Sequence, residues 1–224
     1  MQGKLYGVGV GPGDPALMTI KAVQTITACD ILAIPSKSKD NCMALDIVKQ
    51  GVEGIEDKPL LEVNMPMTKD PDILEAAYSL GADLLCEKLD QGLNVAFITI
   101  GDPSVYSTYM YLHKKVTDKG YETHIIPGVP SFCACAAALN TSLCEGSDEL
   151  HIIPGTYTGG QLTDYPGTKV LMKNDRALSS IRGTDYSVSM VENCTLPTEK
   201  VYRSLEEIPE EAGYFSVLIV KKER

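Results

Sequence analysis

Five short apolar runs, Lys4–Val10, Asp30–Pro35, Leu60–Val63, Asn94–Ile100 and Glu122–Ile126, alternate with stretches patterned for helix. That alternation restricts the first half of the chain to βαβ units around a mainly parallel sheet. Helical spacing is carried by Ile73, Ala77, Leu80, Leu84 and Lys88, and again by Val105, Tyr109, Leu112 and Val116. The dipeptide Asp-Pro recurs at 14–15, 70–71 and 102–103. An Asp able to accept from free amides, followed by a Pro suited to the first helical position, predicts a helix start at each.

Beyond Pro127-Gly128 the texture changes. Strands predicted at Leu150–Ile153, Thr168–Lys173, Tyr186–Glu192 and Phe215–Val220 lie closer together, and the helices shorten. The expected fold class is therefore α/β with two α/β domains. Residues 1–126 form one around a mainly parallel five-stranded sheet, and residues 127–224 form the other. Gly155–Gly167 lacks any period and reads as a long surface loop.

The chain has 224 residues, 44% of them hydrophobic, enough to bury a core. No apolar run approaches the ~18 residues of a membrane helix, so no membrane association is expected. Lys and Arg number 20 against 30 for Asp and Glu, a net charge of −10, and the deficit is spread over both halves. Nucleic acid and anionic membrane surfaces are recognised mainly through clustered cations, so neither is an expected partner. An anionic substrate would need a local positive rim. Glycines 7, 9, 11 and 13 interrupt the segment that would be the apolar centre of a secretory signal, which predicts a cytoplasmic location. The seven cysteines, 29, 42, 86, 133, 135, 144 and 194, contain no CxxC pair, and the histidines 113, 124 and 151 are scattered. Free, mostly buried thiols and no protein-held metal are expected.

Gly7–Pro15, GVGVGPGDP, ends a strand where backbone amides are free to meet a polar or anionic ligand. It is not a dinucleotide fingerprint: G-x-G-x-x-G fails in both registers, at Pro12 and at Asp14, and no acidic residue ends the second strand. Gly155–Gly160 has the spacing of a phosphate loop but places Gln161 and Leu162 where Lys and Ser or Thr are required. A second Gly-Asp-Pro turn, Ile100–Ser104, and a Pro-Gly turn, Pro127–Ser131, end further strands. All three turns fall on the carboxyl edge of the predicted sheet, where open α/β sheets bind ligands.

GVGVGPGDP, FITIGDPSVYST at 97–108, IIPGVPSFCACAAAL at 125–139, VLMK at 170–173 and VENC at 191–194 together resemble the tetrapyrrole (corrin/porphyrin) methylase family, in the right order and over nearly the whole chain. Pro66-Met67-Thr68, the GDPSVYSTYMYL run and Gly146–Leu150 are most similar to members that methylate carbon 20 of precorrin-2 or cobalt-factor II. The resemblance implies two α/β domains with S-adenosylmethionine (SAM) held in the cleft between them, a tetrapyrrole substrate and a homodimer. It places Pro12 and Gly13 on the first cofactor loop, Ile100, Gly101 and Asp102 beside the methionine part of the cofactor, and Pro130 and Ser131 on the third loop. Met172, Cys194 and Ser216 match positions around adenine and ribose.

For such a reaction Asp102 or Tyr106 is the candidate to take the proton released from the ring after transfer. Lys37, Lys39, Lys69, Lys173 and Arg176 are the candidate cations rimming the site for a carboxylate-rich substrate, and any cobalt is expected to arrive inside the ring. Methylation at another ring position, or a SAM- or nucleotide-binding module without turnover, stays open on the sequence alone.

Overall fold

The computed structural model describes residues 2–36, 39–154, 165–172, 186–210, 213 and 215–222. The chain divides into two compact units, Met1–Pro130 and Ser131–Arg224.

In the first unit five strands, β1 (Leu5–Gly9), β2 (Ile31–Ile34), β3 (Leu60–Glu62), β4 (Val95–Thr99) and β5 (Thr123–Ile126), form a wholly parallel sheet ordered β3-β2-β4-β1-β5. The crossovers carry α1 (Ile20–Ala28), α2 (Met43–Gly51), α3 (Pro71–Asp90) and α4 (Tyr109–Asp118). Because side chains alternate along a strand, each face has its own core. Val8, Leu32, Ile34, Ala96 and Ile98 pack with Ala22 and Ile26 of α1 and Leu45, Ile47 and Val48 of α2. Leu5, Ile31, Ala33, Val95 and Phe97 pack with Tyr78, Ala82, Leu85 and Leu89 of α3 and Tyr109, Leu112 and Val116 of α4. Burial on both faces is what a parallel sheet with helical crossovers demands.

The helical spacing at 73–88 lies within α3, which exposes Ile73 and Leu80 and buries Tyr78, Gly81, Ala82, Leu85, Cys86 and Leu89. One expectation about the helix starts is corrected. Of the three Asp-Pro pairs, only Asp70-Pro71 opens an α-helix, with Asp70 accepting from the amides of Asp72 and Ile73. Asp14-Pro15 opens a three-residue 3-10 turn, and α1 begins later, capped by Thr19. Asp102-Pro103 opens no helix, and α4 begins at Tyr109. An Asp carboxylate satisfies amides in a short turn as readily as in a helix, so the dipeptide marks a turn and not its continuation.

The second unit opens with α5 (Ser131–Leu139), followed by β6 (Leu150–Pro154), β7 (Thr168–Met172), β8 (Tyr186–Glu192), β9 (Lys200–Tyr202) and β10 (Ser216–Lys222). Its sheet is mixed and ordered β6-β7-β10-β8-β9: β6 and β7 are parallel, and the other pairings are antiparallel. The short β9 was not legible in the sequence. Ile153, Leu171, Val188, Met190, Leu218 and Val220 form the core on one face. On the same strand face as Leu171, Lys169 is buried with its ammonium 4.5 Å from the centre of the Tyr186 ring. Arg203 closes the end of α5 by donating to the Leu139 carbonyl at 2.9 Å. Most of the predicted loop 155–167 and the phosphate-loop spacing within it lie outside the described residues. Five cysteines are buried as expected, whereas Cys133 and Cys144 are exposed, and all seven are free thiols.

Candidate active site

The turns after β1, β4 and β5 leave the same edge of the first sheet and are sewn to one another. The turn after β1 meets that after β4 through an antiparallel bridge between Gly11 and Gly101, in which the Gly101 amide donates to the Gly11 carbonyl at 2.8 Å. The β4 and β5 turns are joined by Asp102, whose Oδ2 accepts from the Gly128 amide at 3.0 Å. The first and third are joined by Thr19, whose hydroxyl donates to the Pro127 carbonyl at 3.3 Å while accepting from the Ala22 amide at 3.1 Å. One side chain thus caps α1 and ties down the third turn.

The backbones cross so closely that a β-carbon at Gly128 would lie 2.1 Å from the Gly101 carbonyl oxygen. Gly101 differs: its φ of +71° favours glycine, yet nothing lies within 4 Å of where its β-carbon would be. The space beside this buried glycine leaves room for a group that approaches the main chain.

Asp102 is buried and fully engaged. Its Oδ1 accepts from the Ser104 amide at 2.7 Å and from the Ser104 hydroxyl, and its Oδ2 holds Gly128. Tyr106, four residues on, is about half exposed and sits at a φ of +48°. Pro12 and Gly13 are buried in the first turn, and Ile100 and Pro130 are half-buried. The first-unit positions expected to bind SAM, Pro12, Gly13, Ile100, Gly101, Asp102 and Pro130, therefore lie on turns linked to one another at one edge of the sheet. Of the five candidate rim cations, Lys39 and Lys69 lie on exposed loops after β2 and β3, at that same edge. Lys37, Lys173 and Arg176 lie outside the described residues.

In the second unit Ser131 begins α5, and Met172, Cys194 and Ser216 gather at one end of the sheet. Met172 ends β7 opposite Val217, Ser216 begins β10 opposite Glu192, and Cys194 follows β8. Cys194 sits between Asn193 and Thr195, both left-handed at φ +51° and +67°. Its thiol is hydrogen-bonded to that of Cys135 on α5, which together with burial pushes the Cys135 thiol far up from its ordinary value. This contact, like the Asp102–Gly128 and Thr19–Pro127 links, joins residues distant in sequence, and no local motif announced it. Among the described residues no group of three His, Cys, Asp or Glu side chains could hold a metal ion.

A parallel α/β sheet with glycine-containing turns joined at its carboxyl edge belongs to the class of open α/β proteins whose ligands are generally taken at that edge. The family model for Tetrapyrrole (Corrin/Porphyrin) Methylases matches residues 4–209, and the chain belongs to that family. It is 37% identical to the probable cobalt-precorrin-2 C(20)-methyltransferase of Methanocaldococcus jannaschii, covering 98% of this chain and 96% of the relative. It is 31% identical to the precorrin-2 C(20)-methyltransferase of a Sinorhizobium species, over 97% and 95% of the two chains. A solved structure of a Corynebacterium diphtheriae protein related to cobalamin synthesis (CobF) superposes with a TM-score of 0.80 at 17% identity, covering 99% of each chain, which bears on the fold alone.

Proposed function

We propose that this protein transfers a methyl group from SAM to carbon 20 of a precorrin-2-type tetrapyrrole, a step of cobalamin synthesis. The observation that carries the reading is the 37% identity, over essentially the whole of both chains, to the M. jannaschii relative. That relative bears a cobalt-containing substrate in its name, and we take the cobalt form of the ring as the preferred substrate here, with the metal carried by the ring.

Bound SAM supplies an electrophilic methyl group on a sulfonium. The protein's part is chiefly orientation, and holding donor and acceptor in line is worth ~7–11 kcal/mol of barrier. Pro12, Gly13, Ile100, Gly101 and Pro130 present backbone to the methionine part, and the open face of Gly101 is the observation that makes room for it. Ser131 keeps its family assignment beside them, and Met172, Cys194 and Ser216 keep theirs with adenine and ribose.

Asp102 spends its oxygens on the loops and so keeps an anion from lying directly against the sulfonium, where it would stabilise the ground state more than the charge-dispersed transition state. Tyr106 is then the candidate on this loop for the proton released from the ring, relaying it by giving its own hydroxyl proton to solvent as it takes the ring's. Lys39 and Lys69, with Lys37, Lys173 and Arg176, meet the substrate carboxylates. The reading carries with it a cytoplasmic homodimer, which sedimentation of the purified protein tests. The function itself is tested by incubating the protein with methyl-labelled SAM and cobalt-precorrin-2, precorrin-2 or uroporphyrinogen III. Label at carbon 20 is expected with the first two, faster with cobalt. Label elsewhere, or none, overturns the reading.

A further inference from the structure

The loops leaving β3 and β4 feed α3 and α4, which pack side by side on one face of the sheet. The rings of Tyr78 and Tyr111 stack with centres 4.8 Å apart, and Gly81 admits Leu112 so closely that a β-carbon there would lie 3.0 Å from it. Both loops therefore leave the same carboxyl edge, on the side of the sheet that carries α3 and α4. Their strands stand two positions apart, about 10 Å at the usual interstrand spacing.

Each loop holds a large side chain out of the core although the chain on either side of it is anchored. Before Met67, Val63 is buried and donates its amide to the Ile34 carbonyl at 2.9 Å, and Met65 packs against the α3/α4 core. After it, the Thr68 hydroxyl accepts from the Asp70 amide at 3.2 Å. Between these anchors Met67 is 85% exposed, the highest exposure of any large hydrophobic residue in the described structure. Tyr106 is held in the same manner: the Val105 amide donates to the Asp102 carbonyl at 3.2 Å, and the Ser107 hydroxyl bonds that of Thr99 at 3.2 Å. Its left-handed backbone is a conformation a bulky residue keeps only when its surroundings impose it, and such residues gather at functional sites. A single exposed hydrophobic residue is ordinary. Two held out on loops of one edge, where an α/β sheet takes its ligand, are not.

Resting on the proposed function, we infer that Met67 is a substrate-binding residue that lays its thioether against the apolar face of the tetrapyrrole, at the edge that also carries Tyr106. Methionine suits the task, because its unbranched, polarisable side chain adapts to a flat π-surface.

Steady-state kinetics of Met67→Ala with cobalt-precorrin-2 test this. The KM for the ring is expected to rise about tenfold, with kcat within about twofold and the SAM dissociation constant unchanged, since the lost contact is with the ring alone. Met67→Leu, which keeps the apolar bulk, is expected to return KM to within about threefold of wild type. An unchanged ring KM in Met67→Ala overturns the inference, as does a parallel loss of SAM affinity, which would assign Met67 to the loop's structure. Titration of the ring, followed by its own absorbance, separates this inference from the reading beneath it. Ring binding that weakens in Met67→Ala without methyl transfer by either protein keeps Met67 and removes the proposed activity. Methyl transfer indifferent to Met67 does the reverse, and a wild-type protein that binds no ring removes both.

Discussion

The carboxylate of Asp102 reaches across to the Gly128 amide at 3.0 Å while its other oxygen holds the Ser104 amide at 2.7 Å, so one side chain fixes the turns that follow two different strands. An asparagine in its place has a single oxygen and must turn its NH2 toward one of these donors. Asp102→Asn should therefore cost about 1.5–3 kcal/mol, a melting temperature lower by roughly 4–10 °C, together with weaker SAM binding by calorimetry. Were Asp102 instead the group that removes the ring proton, the variant would melt and bind SAM like wild type and lose only turnover. That pattern would sink the clamp assignment.

Gly101 and Gly128 should separate binding from folding. Gly101→Val places its side chain in open space at the cost of a left-handed backbone, about 1–2 kcal/mol. The protein should stay folded and lose SAM affinity by more than about tenfold. Gly128→Ala drives a β-carbon into the Gly101 carbonyl and should lower the melting temperature by several degrees as well. Unchanged SAM affinity in folded Gly101→Val would remove this loop from the site.

Lys39 and Lys69 stand on exposed loops at the ligand edge of a protein whose net charge is −10. Screening over ~8 Å at physiological salt lets such local cations outweigh the distant acidic surface. The double variant Lys39→Gln/Lys69→Gln should raise the KM for the carboxylate-bearing ring and flatten its rise with added salt, leaving the SAM KM alone. A wild-type salt profile would place the positive rim on other residues.

His113 supplies a pH signature. Burial, then the nearby charge of His124, holds its pKa below the ordinary histidine value, with the Tyr109 hydroxyl at 3.2 Å from Nδ1 and that of Thr123 at 3.4 Å from Nε2. The unfolded chain therefore takes up this proton at a higher pH than the folded protein does. Its contribution to stability is complete above the unfolded pKa near 6.5, falls as the pH drops through that value, and levels off once the folded pKa is passed. His113→Gln should lose less melting temperature than wild type between pH 7.5 and 5.5. An equal loss in the two proteins would exclude His113 as the source.

The parallel sheet was legible because a strand buried on both faces must be apolar, as Ile31–Ile34 and the first four residues of β4 are. The buried side of α3 was not. Over its 20 residues the helix carries two apolar stripes of equally regular period, and the pattern alone does not mark the one through Ile73 and Leu80 as exposed. What selects the other is Gly81, where the absent side chain lets Val63 and Leu112 close in, a property of the neighbours and not of the helix. At the site, the three glycine-containing turns and their shared edge could be read locally. The links that make them one body, Thr19 to Pro127 and Asp102 to Gly128, span 108 and 26 residues and leave no mark on any short motif.

The strand order β3-β2-β4-β1-β5 also dictates a schedule. Leu5–Gly9 lies between two strands that arrive much later, pairing with Val95–Thr99 on one side and with Thr123–Ile126 on the other. At a synthesis rate of about 5–20 residues per second, the roughly 90 residues between Leu5 and Val95 take on the order of 5–18 s to make. Throughout that interval an apolar strand with both edges open waits in the nascent chain, and no local hairpin can occupy it. Burden on chaperones should thus concentrate on the amino-terminal strand during translation and end abruptly once β5 has emerged.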